Sequence, residues 1–187
     1  MKSKEVFKNV KIKNLICNFF KYIINCKSNE ISHIANLQCG FEKWLQLEFV
    51  FWFIKKYNNL SKLNEDIGVE RKMNINSSNR KTIDIWLRTT KNKYYYIEFK
   101  SIVEGWNEKK QISSWIKDFK LLQRIPKEEP YFPSGIASIL FGSSKNEWKS
   151  KWKDFKKFVI KSIKSTSKSV TIKKSGNLVM ALLYNQY

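Results

Sequence analysis

This chain is short of acid relative to base. Its 187 residues include 16 Asp plus Glu against 36 Lys plus Arg, a formal charge of +20. A compact protein so unbalanced repels itself unless a polyanion neutralises part of the charge, and nucleic acid is the polyanion that fits. Arginine is scarce too, limited to Arg71, Arg80, Arg88 and Arg124. Lysines act as point charges suited to phosphate backbones, so composition excludes any inference of base-specific reading. The abundance of Lys, Ile and Asn also carries the imprint of an A/T-rich genome, although that bias does not require acids to be few. Three cysteines, Cys17, Cys26 and Cys39, are too widely spaced for a zinc knuckle, and a single histidine, His33, cannot complete a metal site. An odd cysteine count without a dense framework fits a reducing cytoplasm. Long hydrophobic runs are missing: Leu47 to Ile54 contains Glu48 and falls far short of the roughly 20 residues that cross a bilayer. Leu15 to Ile24 is broken by Asn18 and Lys21 with no small-residue cleavage site after it, so neither membrane attachment nor a secretory signal is expected. The lack of a glycine-rich loop followed by lysine and serine or threonine excludes a phosphate-loop enzyme.

The length and the 42% hydrophobic content predict a single domain over residues 1–187 with a sizeable core. An N-terminal helical region, 1–39, carries apolar positions at helical spacing from Val6 to Ile23. A second helix runs from about Gly40 to Tyr57, apolar on nearly every side and therefore expected to be buried. Three strands follow, Val69 to Ile75, Thr82 to Arg88 and Tyr94 to Val103, then a helix from about Glu108 to Arg124. Pro126, Pro130 and Pro133 make the next connection non-helical, and Gly135 to Gly142 reads as a buried strand. The segment 143–187 adds a basic helix over 146–164 and two strands near 169–174 and 178–184. This order predicts an α/β fold, a three-layer α/β/α arrangement around a central mixed sheet.

Within the strands, alternation puts Asp84 opposite Ile83, Ile85 and Leu87, and puts Glu98 and Lys100 together opposite Ile97 and Phe99. Pairing of those strands would bring two carboxylates and an ammonium together. Adjacent carboxylates repel unless protons or a divalent cation intervene, and Mg²⁺ prefers oxygen ligands, waters and phosphate oxygens. A lysine beside them would orient an attacking water, help deprotonate it, or stabilise charge developing on phosphate. The bland alternative is a salt-bridged patch on a solvated sheet face.

Ile83-Asp84, a spacer of thirteen residues and Glu98-Phe99-Lys100 resemble the motif of the PD-(D/E)xK nuclease superfamily, with Ile83 where the motif has proline. The resemblance covers residues 40–142 as a catalytic core and implies a restriction-endonuclease-like fold. It implies that Asp84, Glu98 and the Phe99 carbonyl bind Mg²⁺, with Mn²⁺ as a substitute, and that Lys100 assists the nucleophile. An upstream helical glutamate often joins such sites, and Glu48 is the residue offered for that role, as a further ligand or orienter. Its alternative is pairing with a core-facing lysine or tyrosine, whereas Glu42 and Glu104 read as solvated. The implied activity is hydrolysis of DNA phosphodiester bonds by an endonuclease of restriction, defence or repair type, leaving a 5′ phosphate. RNA as substrate and a non-catalytic nucleic-acid-binding protein are the alternatives, and cutting both strands of a palindrome would suit a homodimer. Arg80 and Lys81 precede the Asp84 strand as phosphate neighbours. Lys149, Lys153, Lys156 and Lys157 on the basic helix are further candidates for nucleic-acid contact.

Overall fold

The protein is described by a computed structural model covering residues 10–36, 41–57, 66–76, 79–90, 93–103, 108–125, 132–143, 170–175 and 178–187. The 146–164 segment expected to be helical, with Lys149, Lys153, Lys156 and Lys157, lies outside these residues, as do Glu104 and Cys39.

Helix α1 spans Ile12–Asn36. Ile12, Leu15, Ile16, Phe19, Phe20 and Ile23 recur at intervals of three and one, forming one apolar stripe that is fully buried. Helix α2, Glu42–Lys56, buries Leu45, Gln46, Phe49, Val50, Trp52 and Phe53. Its opposite side is open, contrary to the expectation of burial all round: Leu47 is 54% and Phe51 65% exposed. The two residues are one turn apart on the side turned away from the sheet, where apolar composition alone cannot bring a partner.

Among the described residues six strands form one sheet in the order β1-β2-β3-β4-β6-β5. β1 (Ile67–Asn76), β2 (Asn79–Thr90) and β3 (Lys93–Val103) make an antiparallel meander. Helix α3 (Glu108–Leu122) carries the chain to β4 (Phe132–Ser143), which lies parallel to β3. β6 (Leu178–Gln186) is antiparallel to both β4 and β5 (Val170–Ser175). One parallel pair makes the sheet mixed, and a helix-containing crossover is what a parallel pair requires.

Helices cover both faces. Phe19, Phe49 and Phe53 from α1 and α2 pack on Ile85, Ile97, Phe99, Ile139 and Leu182. On the other face Trp115, Ile116, Phe119 and Leu122 of α3 pack on Tyr96, Ile136, Leu140 and Val179. Three layers result, and Leu178 to Leu183 of β6 are buried without a break, as expected of a strand covered on both sides. Among the described residues no helix is long and apolar enough to cross a membrane, and Cys17 and Cys26 are free thiols.

Alternation in β2 changes phase at Asp84. Ile85 and Leu87 face α1 and α2, but Ile83 joins the α3-side core instead of sharing their face. On the neighbouring strand Glu70 has a left-handed φ of 55°, and the pairing runs from Val69↔Ile85 to Arg71↔Ile83 around it. A non-glycine residue in that region is uncommon, and the register on either side of it is unchanged.

Candidate active site

The β2–β3 ladder runs from Arg88↔Tyr94 through Trp86↔Tyr96 to Ile85↔Ile97 and ends there. Beyond that point β3 keeps β4 as its neighbour, with Glu98 paired to Ser138 and Lys100 to Leu140. The Phe99 amide, left without a partner on β2's backbone, donates instead to Asp84 Oδ2 at 2.8 Å. A carboxylate thus sits where two strands part, held by a main-chain bond rather than by a flexible surface contact.

Phe99 fixes what lies on either side of it. Its ring is fully buried, 6.2 Å from Phe19 and 5.9 Å from Phe49 between ring centres, on the α1–α2 face. Strand alternation then directs Glu98 and Lys100 to the opposite face, toward α3. Glu98 is 3% exposed. Its Oε2 lies 3.2 Å from Lys81 Nζ, which also reaches Asp118 Oδ1 of α3 at 2.9 Å. Its Oε1 is buried with no hydrogen-bond partner among the described residues. Lys100 Nζ lies 3.5 Å from Asp118 Oδ2 and 3.6 Å from Glu42 Oε2. Glu42 Oε1 accepts the Ser101 amide at 3.2 Å, and the Phe41 amide donates to Ser101 Oγ at 3.3 Å, so two bonds tie the first turn of α2 to β3.

Among the described residues the carboxyl groups of Glu42, Asp84, Glu98 and Asp118 therefore share this space with the ammonium groups of Lys81 and Lys100. Burial, and then the nearby charge of Asp84, push the Glu98 carboxyl up to about 8, against the pull of Lys81. Burial also raises Asp84, opposed by the Phe99 amide and Lys100. For Lys100 burial works to lower the pKa, but Glu42, Asp118, Asp84 and Glu98 together outweigh it and the net shift is upward. Lys100 is therefore an ammonium at neutral pH, able to orient a water or stabilise anionic charge but not to take a proton.

Asp84, Glu98, Phe99 and Lys100 come together where β2 and β3 part. Glu48 does not join them. It accepts a hydrogen bond from Tyr22 and lies 3.8 Å from Lys27, both on α1, the tyrosine-and-lysine pairing that was its alternative. The helix phase explains the difference: Leu45 and Phe49 place Glu42 on the sheet-facing stripe, while Glu48 is rotated toward α1. Glu42, expected to be solvated, is the α2 glutamate at the site. Lys81, expected to face phosphate, is instead engaged with Glu98 and Asp118 and only 13% exposed. Arg80 beside it is exposed. Asp118 was not anticipated, although its position three residues after Trp115 and four before Leu122 puts it on the buried stripe of α3.

Among the described residues no group of three or more His, Cys, Asp and Glu side chains is arranged to hold a metal ion. Mg²⁺ does not need one: it is commonly held by one or two carboxylates plus waters and substrate phosphates. Asp84, Glu98 and the Phe99 carbonyl offer oxygen atoms of that kind, and Glu98 Oε1 has no hydrogen-bond partner among the described residues. Compared with protein-family models, with curated proteins and with solved structures, the chain matches none of them.

Proposed function

We propose that the protein is a metal-dependent nuclease, an endonuclease that hydrolyses DNA phosphodiester bonds on a restriction-endonuclease-like scaffold of the PD-(D/E)xK type. The observation that carries this reading is Glu98: a carboxyl group 3% exposed, with one oxygen unpartnered among the described residues, beside Asp84 at the parting of two strands. An unpaired buried carboxylate oxygen is costly, and such groups are normally relieved by hydrogen bonds or metal coordination. Asp84, Glu98 and the Phe99 carbonyl would hold Mg²⁺ or Mn²⁺. A bound divalent ion would supply polarisation of a phosphoryl oxygen and a water of lowered pKa.

The chain's own residues have separable tasks. The Phe99 amide fixes the Asp84 carboxylate, and the Phe99 ring, locked in the aromatic core, fixes the register of Glu98 and Lys100. Glu42 and Asp118 hold the Lys100 ammonium from two sides, so its charge is directed at the site and aimed at anionic oxygens. Lys81 neutralises Glu98 Oε2 and leaves Oε1 for the ion. In the hydrolysis a water oxygen bonds to phosphorus as the bond to the 3′ oxygen breaks; the water's proton passes to solvent and the departing oxygen takes one up, leaving a 5′ phosphate and a 3′ hydroxyl. The net charge of +20 supplies attraction to the substrate backbone, with binding that weakens steeply with salt.

The test is cleavage of supercoiled plasmid and of single-stranded substrates with Mg²⁺, with EDTA, and with Lys100→Ala. Metal-dependent cutting lost in the variant supports the nuclease. Salt-sensitive binding without cutting in any metal would instead make this a nucleic-acid-binding protein.

A further inference from the structure

On the far edge of the sheet from β1, a cavity of about 630 Å³ opens between α1 and β5. Lys13, Cys17 and Lys21 line it at intervals of four along one stripe of α1, with Asn14 and Asn18 beside them. Thr171 and Lys173 line it from β5, two residues apart and thus on one face of the strand. Its described lining contains three ammonium groups and no carboxylate. Lys13 Nζ is 5.8 Å from the centre of the Tyr184 ring, a cation–π contact that limits its freedom. Lys173, Lys13 and Lys21 all pull on the half-buried Cys17 thiol, which burial raises overall, so the three charges converge on one space. Like charges gathered around a cavity repel one another, and an anion placed among them removes that cost.

The cavity is separate from the acid cluster. Thr171 pairs with Leu182, Leu182 with Ile139 and Ile139 with Phe99, so it lies on the Phe99 rung but three strands away, about 14 Å at the usual strand spacing. It opens on the α1 side, whereas Glu98 and Lys100 face α3.

We propose that this cavity binds a ligand carrying two or more closely spaced phosphate groups, gripped by Lys13, Lys21 and Lys173. The amides of Asn14 and Asn18 and the Thr171 hydroxyl supply donors for further phosphate oxygens. Recognition is of the phosphate groups, through the charged, amide and hydroxyl donors of the lining. The volume suits a ligand of nucleotide size. This site does not depend on the nuclease reading. A free polyphosphate and the phosphorylated end of a nucleic-acid strand present the same chemistry.

Cys17 reports occupancy. The full chain is alkylated with iodoacetamide in EDTA at constant ionic strength, alone, with inorganic triphosphate, or with a 5′-phosphorylated oligonucleotide, and each cysteine is read by peptide mass spectrometry. At a ligand concentration ten times Kd, Cys17 should react about tenfold more slowly. Exposed Cys26 should be unaffected and serves as the internal control. Lys21→Gln and Lys173→Gln should each raise the ligand concentration needed for half-protection about tenfold, the loss of one charge-assisted contact. Protection by triphosphate assigns the site to free polyphosphate, and protection by the oligonucleotide alone assigns it to nucleic-acid ends. Cys17 reactivity unchanged by both ligands, or slowed equally in the lysine variants, overturns the site.

Discussion

Replacing Glu98 by Gln removes a charge while keeping nearly the same shape, and the consequences for stability can be worked out from the burial of that one group. The carboxyl ionises at an ordinary value of 4.5 in the unfolded chain and at about 8 in the fold without metal. Between those values the unfolded chain has lost the proton that the folded protein retains, so unfolding releases a proton and stability falls as pH rises. The contribution is complete below pH 4.5 and lost by the time pH passes 8, at about 1.4 kcal/mol per pH unit in between. At pH 7 this amounts to roughly 3 kcal/mol, or roughly 6–12 °C in Tm for a chain of this size. Glu98→Gln does not titrate. In EDTA its melting temperature should rise relative to the parent protein as pH increases from 5 to 8, the gap widening throughout. Added Mg²⁺ should stabilise the parent and leave the variant unmoved, because ligand that binds only the folded parent shifts only its equilibrium. Thermal denaturation at four or five pH values, each with EDTA and with Mg²⁺, measures all of this. A gap that stays constant across the pH range would refute the claim that Glu98 is held neutral by burial. An equal Mg²⁺ response in both proteins would refute its role as the ion's ligand.

Other variants separate the site from its surroundings. Asp84→Asn should abolish plasmid cleavage while leaving DNA affinity in EDTA within about threefold, since one charge near the site is a small part of a binding energy dominated by many phosphate contacts; a cleaving variant would contradict the assignment. Glu42→Gln, which loosens Lys100, should slow cleavage roughly 5- to 30-fold, equivalent to a charge-assisted contact of about 1–2 kcal/mol. Glu48→Gln should leave the rate unchanged, and equal loss in both variants would mean that the two helix faces have been misassigned. Phe99→Ala should lower stability to denaturant by about 3–5 kcal/mol, the range for emptying a fully buried aromatic position; a small loss in a urea titration would show that the Phe19–Phe49–Phe99 cluster does not anchor the motif. Gly135→Ala places a methyl group 2.9 Å from the Tyr95 ring. Tyr95 is tied by its hydroxyl to the Val10 carbonyl and to Gln186, so relief requires backbone movement and a Tm drop worth about 1–3 kcal/mol. An unchanged Tm would show that the ring gives way freely.

Much of this protein is determined by short-range pattern. Period-two alternation in Tyr94 to Val103 and period-3.6 spacing in Leu15 to Ile23 reflect which side chains can share a face, and local geometry settles that regardless of the rest of the chain. The order of the described elements and the shared face of Glu98 and Lys100 were legible for this reason. Tertiary structure decided what depends on the phase of one element against another. It put Glu42 rather than Glu48 at the site because α2 turns its Leu45–Phe49 stripe to the sheet. It brought Asp118 across from α3 to hold two lysines, and it turned Lys81 inward. It also placed Ile83 on the opposite face from Ile85, and left Leu47 and Phe51 exposed on a helix whose composition alone would bury them. A sequence states which residues share a face of one helix or strand; which of those faces meet is fixed only when the layers pack.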